Sequence, residues 1–480
     1  MKRKKYLLSF VMLLLALGAF FGGTTAKAAS NHYQIGTDIT FPPFEFQNDS
    51  GDYVGIDIEL LAAIAEEEDF TYDLRPMGFD PSVQGVQAGQ LDGMIAGMSV
   101  TEERQQVFDF SDTYFDSGIQ MAVLGDDDEI SDYEDLDGKV VGAKIGTQSA
   151  TFLENNADEY GYSIKLYDAS DALYGAINNG TLQAIFDDYP VLGYAIANGQ
   201  DFKLVGDRQE SNSYAFAVKK GENQELLTMF NEGLAKLKAN GEYDEIVANY
   251  ISTGEDGEVN VATSGTTADE STLWGLIQNN YPALLKGLGQ TIWLAIVSFA
   301  LAMIVGIIIG LFSVSPVKPL RMFAGVYVDI IRGIPMMVLA YFIFFGLPFT
   351  IPDFIAGIIT LTLNASAYIA EIVRGGINAV PIGQMEASRS LGLPYTRTMQ
   401  KIILPQAIRI MIPSFVNQFV ISLKDTTIIS VIGVIELLQT GKIIVARNGQ
   451  GGPVYFIIAV MYLIVITALT KLAKRLEKKV

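Results

Sequence analysis

Residues 384–405 read QMEASRSLGLPYTRTMQKIILP, a polar and basic stretch set between two long apolar ones, roughly 354–373 and 407–423. Glu386, Ala387 and Ser388 are followed by three residues and Gly392, then by nine residues and Ile402, with Leu404 and Pro405 closing the pattern. The spacing has a mechanical logic. Small side chains at Ala387 and Ser388 let a short helix seat closely in a groove on a partner. Gly392 permits the tight turn that ends that helix, and Pro405 favours entry into the next apolar run.

Outward from this stretch the chain is greasy. Apolar runs over roughly 284–312, 334–351, 354–373, 407–423 and 454–469 approach the roughly 20 residues that cross a bilayer as a helix. Five spans put the two ends of this region on opposite sides. Lys318 and Arg321 follow the first span, Arg389, Arg397 and Lys401 the third, and Lys471, Lys474, Arg475, Lys478 and Lys479 close the chain. That cation excess marks these segments, and the C-terminus, as cytoplasmic.

The first half is a different material. Lys2, Arg3, Lys4 and Lys5 precede an apolar run over 6–21 and Ala26-Lys27-Ala28, the pattern of a secretory signal over 1–28. From Ser271 onward there are 7 acids and 17 bases, a net of +10; the part before it holds 47 acids and 16 bases, a net of −31. Opposite charge in the two parts marks two physical environments. Residues 31–251 read as one exported α/β domain. Strand-like runs at 94–98 and 140–143 alternate with helical patterns at 58–67 and 226–238, which predicts largely parallel sheets covered by helices. Residues 252–272, made of Gly, Ser, Thr, Asp and Glu with almost no large apolar side chain, read as a flexible tether. With no cysteine and one histidine, His32, disulfides, thiolate metal sites, a Cys nucleophile and multi-His centres are excluded. The phosphate-cradling pattern G-x-x-x-x-G-K-[S/T] is absent, so any ATP would be hydrolysed by another polypeptide.

The 386–405 spacing resembles the EAA loop of ABC importer permeases, with Ser388 in place of the second alanine. Glu371-Ile-Val-Arg374-Gly-Gly, Asn417-Gln-Phe419 and Leu423-Lys-Asp-Thr-Thr427 resemble the polar amino acid branch of that family. The resemblance covers about 279–471 and implies an all-α, five-span type I importer transmembrane domain over 279–475. In such proteins the loop, here Glu386, Ala387, Ser388 and Gly392, docks on a cytoplasmic ATPase subunit. This chain would then be no enzyme and hold no cofactor, ATP and Mg being used by the partner. Two permease halves surround a pathway, so a homodimer is expected; no nucleic acid partner is. Lys424 and Asp425 adjoin a span and could pair, line the pathway or sit at the interface.

A binder of a free amino acid needs a buried acid, a buried Arg and backbone N–H groups at helix starts. Gly36-Thr-Asp38, Phe41-Pro-Pro-Phe44-Glu-Phe46, Gly55-Ile-Asp57, Gly97-Met-Ser99-Val-Thr101-Glu-Glu-Arg104, Phe108-Asp-Phe-Ser111, Asp137-Gly-Lys-Val140, Gly146-Thr-Gln148-Ser149 and Asp187-Asp188-Tyr-Pro190 stand in the exported part. They resemble the two-lobed α/β type II periplasmic binding proteins for polar amino acids over nearly all of 33–251. By that resemblance Arg104 grips the α-carboxylate bidentately and Asp188 holds the α-ammonium. Gly97, Ser99 and Thr147, with Gln148 beside it, complete the clamp. Phe41 and Phe79 cover the aliphatic part, and Asp38, Lys144 and Asp187 face the distal end. Asp38 can accept from an amide NH2 and Lys144 can donate to its C=O, which suits glutamine. Glutamine binders often have His where this chain has Asp187. A second acid disfavours a carboxylate side chain and leaves arginine, lysine or histidine open. Two other classes share such lobes. Receptor channels and sensors interrupt them with a pore, whereas here they run without a break and no T-V-G-Y-G filter occurs. Enzymes of the dehydratase kind would turn the ligand over, and no nucleophile–His pair stands out.

Overall fold

The computed structural model describes residues 31–477 apart from positions 39, 49, 50, 168, 169, 211, 212, 254–258, 262–271, 348, 350 and 449. The expected signal segment lies outside the described residues. The chain divides into two compact units, one built on Asn31–Leu288 with Ile435–Val460, the other on Gly289–Val434 with the chain from Met461 on.

In the first unit two lobes each carry a five-stranded sheet. The first lobe orders its strands Thr71–Pro76, His32–Thr37, Gly93–Met94, Ala217–Lys219 and Phe108–Phe110. The second orders Ser163–Tyr167, Val140–Lys144, Ala184–Asp188, Gly118–Leu124 and Phe202–Glu210. Helix Ile56–Glu67 buries Ile56, Leu60 and Ile64, and helix Gln224–Asn240 buries Leu226, Phe230, Leu234 and Leu237. These spacings put one apolar stripe on each helix, and both stripes close over the first-lobe core around Ile35, Phe44 and Phe216. Met121, Val141, Leu153 and Phe186 form the second-lobe core.

The chain crosses between lobes twice, after Phe110 and again between Glu210 and Ala217. That double crossing corrects the expectation of largely parallel sheets. Ala217–Lys219 returns to the first lobe antiparallel to both its neighbours, and Gly118–Leu124 lies antiparallel to both of its own in the second. The expected run at 94–98 is shorter than predicted: Gly93–Met94 is strand, and beyond it Ser99 makes an isolated bridge to Tyr214. Part of the expected tether is also ordered, with Ile251–Thr253 pairing antiparallel to Val259–Val261.

Downstream the chain is helical. Among the described residues four helical runs are long and apolar enough to cross a membrane: Leu273–Ser313, Asp353–Asn378, Tyr395–Ile432 and Gly451–Lys471. The span expected at 334–351 is instead the second arm of a pair, Lys318–Gly333 and Met336–Phe345, bent by 98°. Counting that pair as one span gives the expected five. The break has a local cause: Pro335 lacks an N–H, and Ile334 before it sits at φ −99°, ψ 127°, the extended region that a following proline favours. The polar stretch at 384–405 is mostly helix as well, beyond the short helix expected at Ala387 and Ser388. Tyr395–Ile432 begins ten residues before Pro405, and a π-helical turn over Met399–Ile403 precedes the proline, a local adjustment in the backbone ladder where an N–H is about to be missing.

Candidate functional site

A cleft opens between the two lobes. Asp38, Phe41, Phe79, Ala96, Gly97, Ser99 and Arg104 line it from the first lobe, and Lys144, Thr147, Gln148 and Asp188 from the second. The structure thus brings ten of the eleven expected ligand-binding residues together. Asp187 is the exception. It stands one position before Asp188 on the same strand, buried behind the cleft lining but near enough to Lys144 and Asp38 to feel their charges.

Asp38 follows one strand and Lys144 ends another, and their side chains form a buried ion pair, 1% and 3% exposed. The Lys144 ammonium also lies over the rings of Phe41 and Phe79, at 5.2 and 6.0 Å. Asp38 accepts from Thr40 N and Oγ1 at 3.0 and 2.7 Å. Burial pushes the Asp38 carboxyl up, but Lys144 and the Thr40 donors outweigh it and hold the group below its usual range. Burial likewise opposes the Lys144 charge, and Asp38 overrides it upward.

Arg104 opens a short 3-10 turn, Arg104–Gln106. Its guanidinium donates to Ser99 O in one lobe and to Gly146 O in the other, both at 2.8 Å, and stacks 5.2 Å over Phe79. Asp188 occupies the N-cap of helix Tyr189–Ala197 yet makes no capping bond. Its Oδ2 accepts from the Tyr214 hydroxyl, while Oδ1 is buried with no hydrogen-bond partner among the described residues. Burial raises its pKa to about 6, against the bond from Tyr214, the nearby Ser117 hydroxyl and the charges of Lys144 and Arg104. Asp187 Oδ1 accepts from Asp188 N at 2.9 Å; burial and the Asp188 charge push its pKa to about 7.

Backbone donors complete the cleft. Thr147 caps helix Gln148–Tyr160, accepting from Ala150 N at 3.2 Å and donating to Lys144 O at 2.6 Å. The positive end of a 13-residue helix therefore opens onto the cleft, where an anion gains most. Gly97 is left-handed at φ +52°, and a Cβ there would stand 2.6 Å from Phe41 Cε1, so the position requires glycine. Its N–H donates to Asp57 Oδ2 at 2.8 Å. Sequence reasoning assigned no role to Asp57, Glu45, Ala96 or Tyr214. The first two stood inside recognised stretches, but nothing local says that they converge beneath Gly97.

In the helical region, Ile382–Ser390 is a short helix closed by a left-handed Gly392 at φ +83°. Leu393 N bonds Ser388 O at 3.2 Å and Gly392 N bonds Arg389 O at 3.0 Å, the paired bonds of a Schellman stop. Glu386 and Ala387 are exposed. Ser388 is not: it is buried against its own chain, and its hydroxyl donates to Gln384 O at 2.6 Å. Ser388 therefore serves the helix rather than a partner groove. Ile382 and Leu391, at either end, are 75% and 84% exposed. Upstream, Glu371 pairs with Arg374 at 2.6 Å and Arg332 at 3.6 Å. Asp425 accepts from Asn364 at 3.4 Å, Lys424 is exposed, and no ion pair joins the two among the described residues.

Residues 33–253 match the bacterial extracellular solute-binding proteins, family 3, and residues 302–480 match the binding-protein-dependent transport system inner membrane component family. The chain belongs to the amino acid ABC importers, as a solute-binding domain fused to a multi-pass membrane permease. Over 211 residues it is 36% identical to the glutamine transport system permease protein of Escherichia coli K12, covering 43% of this chain and 96% of that one. It is 38% identical over 211 residues to the L-cystine transport system permease protein of Bacillus subtilis, covering 43% and 90%. Among solved structures, the second substrate-binding domain of Lactococcus lactis GlnP in its open conformation is 45% identical, with a TM-score of 0.37, covering 46% of this chain and 96% of that one.

Proposed function

We propose that this chain binds glutamine in the interlobe cleft and passes it through its own membrane domain, driven by a separate ATPase. The observation that carries the glutamine reading is the buried Asp38–Lys144 pair. A neutral amide can insert its NH2 toward Asp38 and its C=O toward Lys144 without separating their charges. A cationic side chain would have to displace Lys144, and an anionic one Asp38, leaving a buried charge unpaired at about 3–5 kcal/mol. Arg104, Asp188 and the helix start at Thr147 supply the complementary charges for the carboxylate and ammonium ends. The E. coli relative is a glutamine transport permease, which supports the same ligand. One feature favours a second reading. Asp187 adds a buried acid beside Asp188, and a cationic amino acid would gain from it; a Bacillus subtilis relative, 33% identical, is an arginine transport permease.

In this reading the lobes close over the ligand and the loaded domain delivers it to the membrane pathway. The binding domain faces outward, and the C-terminus and Ile382–Gly392 face the cytoplasm, following the cation distribution. The exposed face of that short helix docks on the ATPase, and two copies of the chain complete the pathway. The chain itself holds no cofactor.

The test is calorimetric titration of the purified full-length chain in detergent with glutamine, glutamate, arginine, lysine, histidine and cystine, beside Arg104→Ala. Glutamine binding lost in that variant is expected. Tighter arginine or lysine binding would replace the ligand but keep the importer; no amino acid binding would remove the cleft assignment.

A further inference from the structure

Tyr214 has no role in the ligand contacts above, yet it joins the parts of the cleft that carry them. It lies on the second crossover, with backbone bridges to Ser99 and to Phe115 on the first crossover. Its N–H donates to Phe115 O at 2.8 Å and its carbonyl accepts from Tyr114 N at 2.9 Å. The ring is buried among Phe41, Phe44 and Phe115, with centroids 6.5, 5.1 and 5.9 Å away. Only the hydroxyl reaches the second lobe. It donates to Asp188 Oδ2, and Ser117 Oγ lies 3.1 Å from it. A tyrosine has one hydroxyl proton, so with that proton directed at Asp188 Oδ2 the serine becomes the donor to Tyr214.

We infer that Tyr214 is the positioning residue of the ammonium-binding half of the cleft: holding Asp188 Oδ2, it turns the unpartnered Oδ1 toward the ligand and fixes it to both crossovers. The inference rests on the amino acid reading of the cleft. Its physical basis is preorganisation. Asp188 sits at a helix start but makes no capping bond, so nothing on its own helix fixes its rotamer. A donor on a ring locked by three aromatic neighbours does so. The same bond favours the ionised carboxylate that an ammonium requires. The other titratable groups around Asp188 are Asp187, Lys144, Arg104, Tyr174 and Tyr189. All remain in place when only the Tyr214 hydroxyl is removed, so a change in pH dependence reports that bond.

The experiment is glutamine titration of the full-length chain, from about pH 5 to about pH 9, for wild type, Tyr214→Phe and Ser117→Ala. Tyr214→Phe keeps the ring and its packing. About tenfold weaker binding at neutral pH is expected, the scale of one hydrogen bond to a charged group. The acid limb should move to higher pH, so that the deficit shrinks as pH rises. Ser117→Ala should move the limb the same way by less, and gives an independent reading if the tyrosine variant misfolds. Unchanged affinity, or a loss equal at every pH, would overturn the inference while leaving the cleft assignment intact. Failure of the wild type to bind any amino acid would instead remove the cleft reading and this inference with it.

Discussion

The carboxyl groups of Glu45 and Asp57 come together in the first lobe, both fully buried, and no hydrogen-bond donor reaches Glu45 among the described residues. Two buried carboxylates so placed repel each other, and they can hydrogen-bond only when one carries the proton. Asp57 already accepts from Gly97 N and the Tyr114 hydroxyl, both at 2.8 Å, so the proton belongs on Glu45. Burial first, and then the charges of Asp57 and Asp38, push the Glu45 carboxyl well above its ordinary 4.5. Asp57, raised by burial to about 6, stays the more acidic of the two. The pair therefore holds the Gly97 peptide at the floor of the cleft.

A folded state that keeps a proton the unfolded chain releases loses stability as pH rises. The loss begins at the ordinary carboxylate value of 4.5 and continues up to the raised folded value. Glu45→Gln supplies the neutral donor permanently. It is expected to flatten that decline and to increase amide-exchange protection of helix Ile56–Glu67 at pH 8 by about tenfold or more. Lower protection in the variant than in wild type at pH 8 would mean that Glu45 is ionised and the assignment is reversed.

Lys144→Met tests the charge balance of the distal end. The substitution leaves Asp38 buried and negative with its counter-ion gone, a penalty of about 3–5 kcal/mol that a cationic ligand can relieve. Glutamine should bind more weakly, and the ratio of arginine to glutamine affinity should rise by about 100-fold, the scale of a 3 kcal/mol difference. Competition titration of the full chain gives the ratio directly. A variant that kept the wild-type ratio would show that the pair does not select the ligand.

Gly97 and Gly146 are both left-handed, and the surroundings predict different outcomes for alanine. Each pays a backbone cost of about 1–2 kcal/mol. At Gly97 the added Cβ meets Phe41 Cε1 at 2.6 Å, and Phe41 is itself held against Phe44 and Tyr214. At Gly146 it meets Asp80 Oδ1 at 2.8 Å, the tip of a short side chain and not a packed ring. Gly97→Ala should weaken ligand binding by about 100-fold, and Gly146→Ala by about tenfold. Equal effects in the same titration would locate the constraint in the backbone alone.

How much of this was legible depended on distance along the chain. Eight of the ten converging cleft residues lie in short stretches that resemble amino acid binding proteins, as in Ser99-Val-Thr-Glu-Glu-Arg104; Phe79 and Lys144 lie outside them. Asp187 was expected at the distal end and instead lies behind the lining, beside Lys144 and Asp38, a depth that residue type does not reveal. The Glu45–Asp57 and Asp188–Tyr214 contacts escaped because each joins segments that only the fold brings together. The break at Pro335 was visible in composition but outweighed by the apolar run that spans it. Ser388 read as a docking residue because small size does not reveal which way a helix faces.

Leu391 offers a test of coupling. It is 84% exposed beside the Schellman stop at Gly392, where an apolar side chain left in water gains by entering a partner's groove. Leu391→Asp should abolish glutamine uptake by cells while leaving ligand affinity of the purified chain unchanged, because the helix and its turn do not depend on that side chain. Gly392→Ala is the control for the turn. Its Cβ meets nothing within 4 Å, so it carries only the left-handed backbone cost of about 1–2 kcal/mol and should slow uptake without stopping it. Normal uptake by Leu391→Asp would show that this side chain takes no part in coupling. Loss of both uptake and binding would show instead that the residue supports the fold of the whole chain.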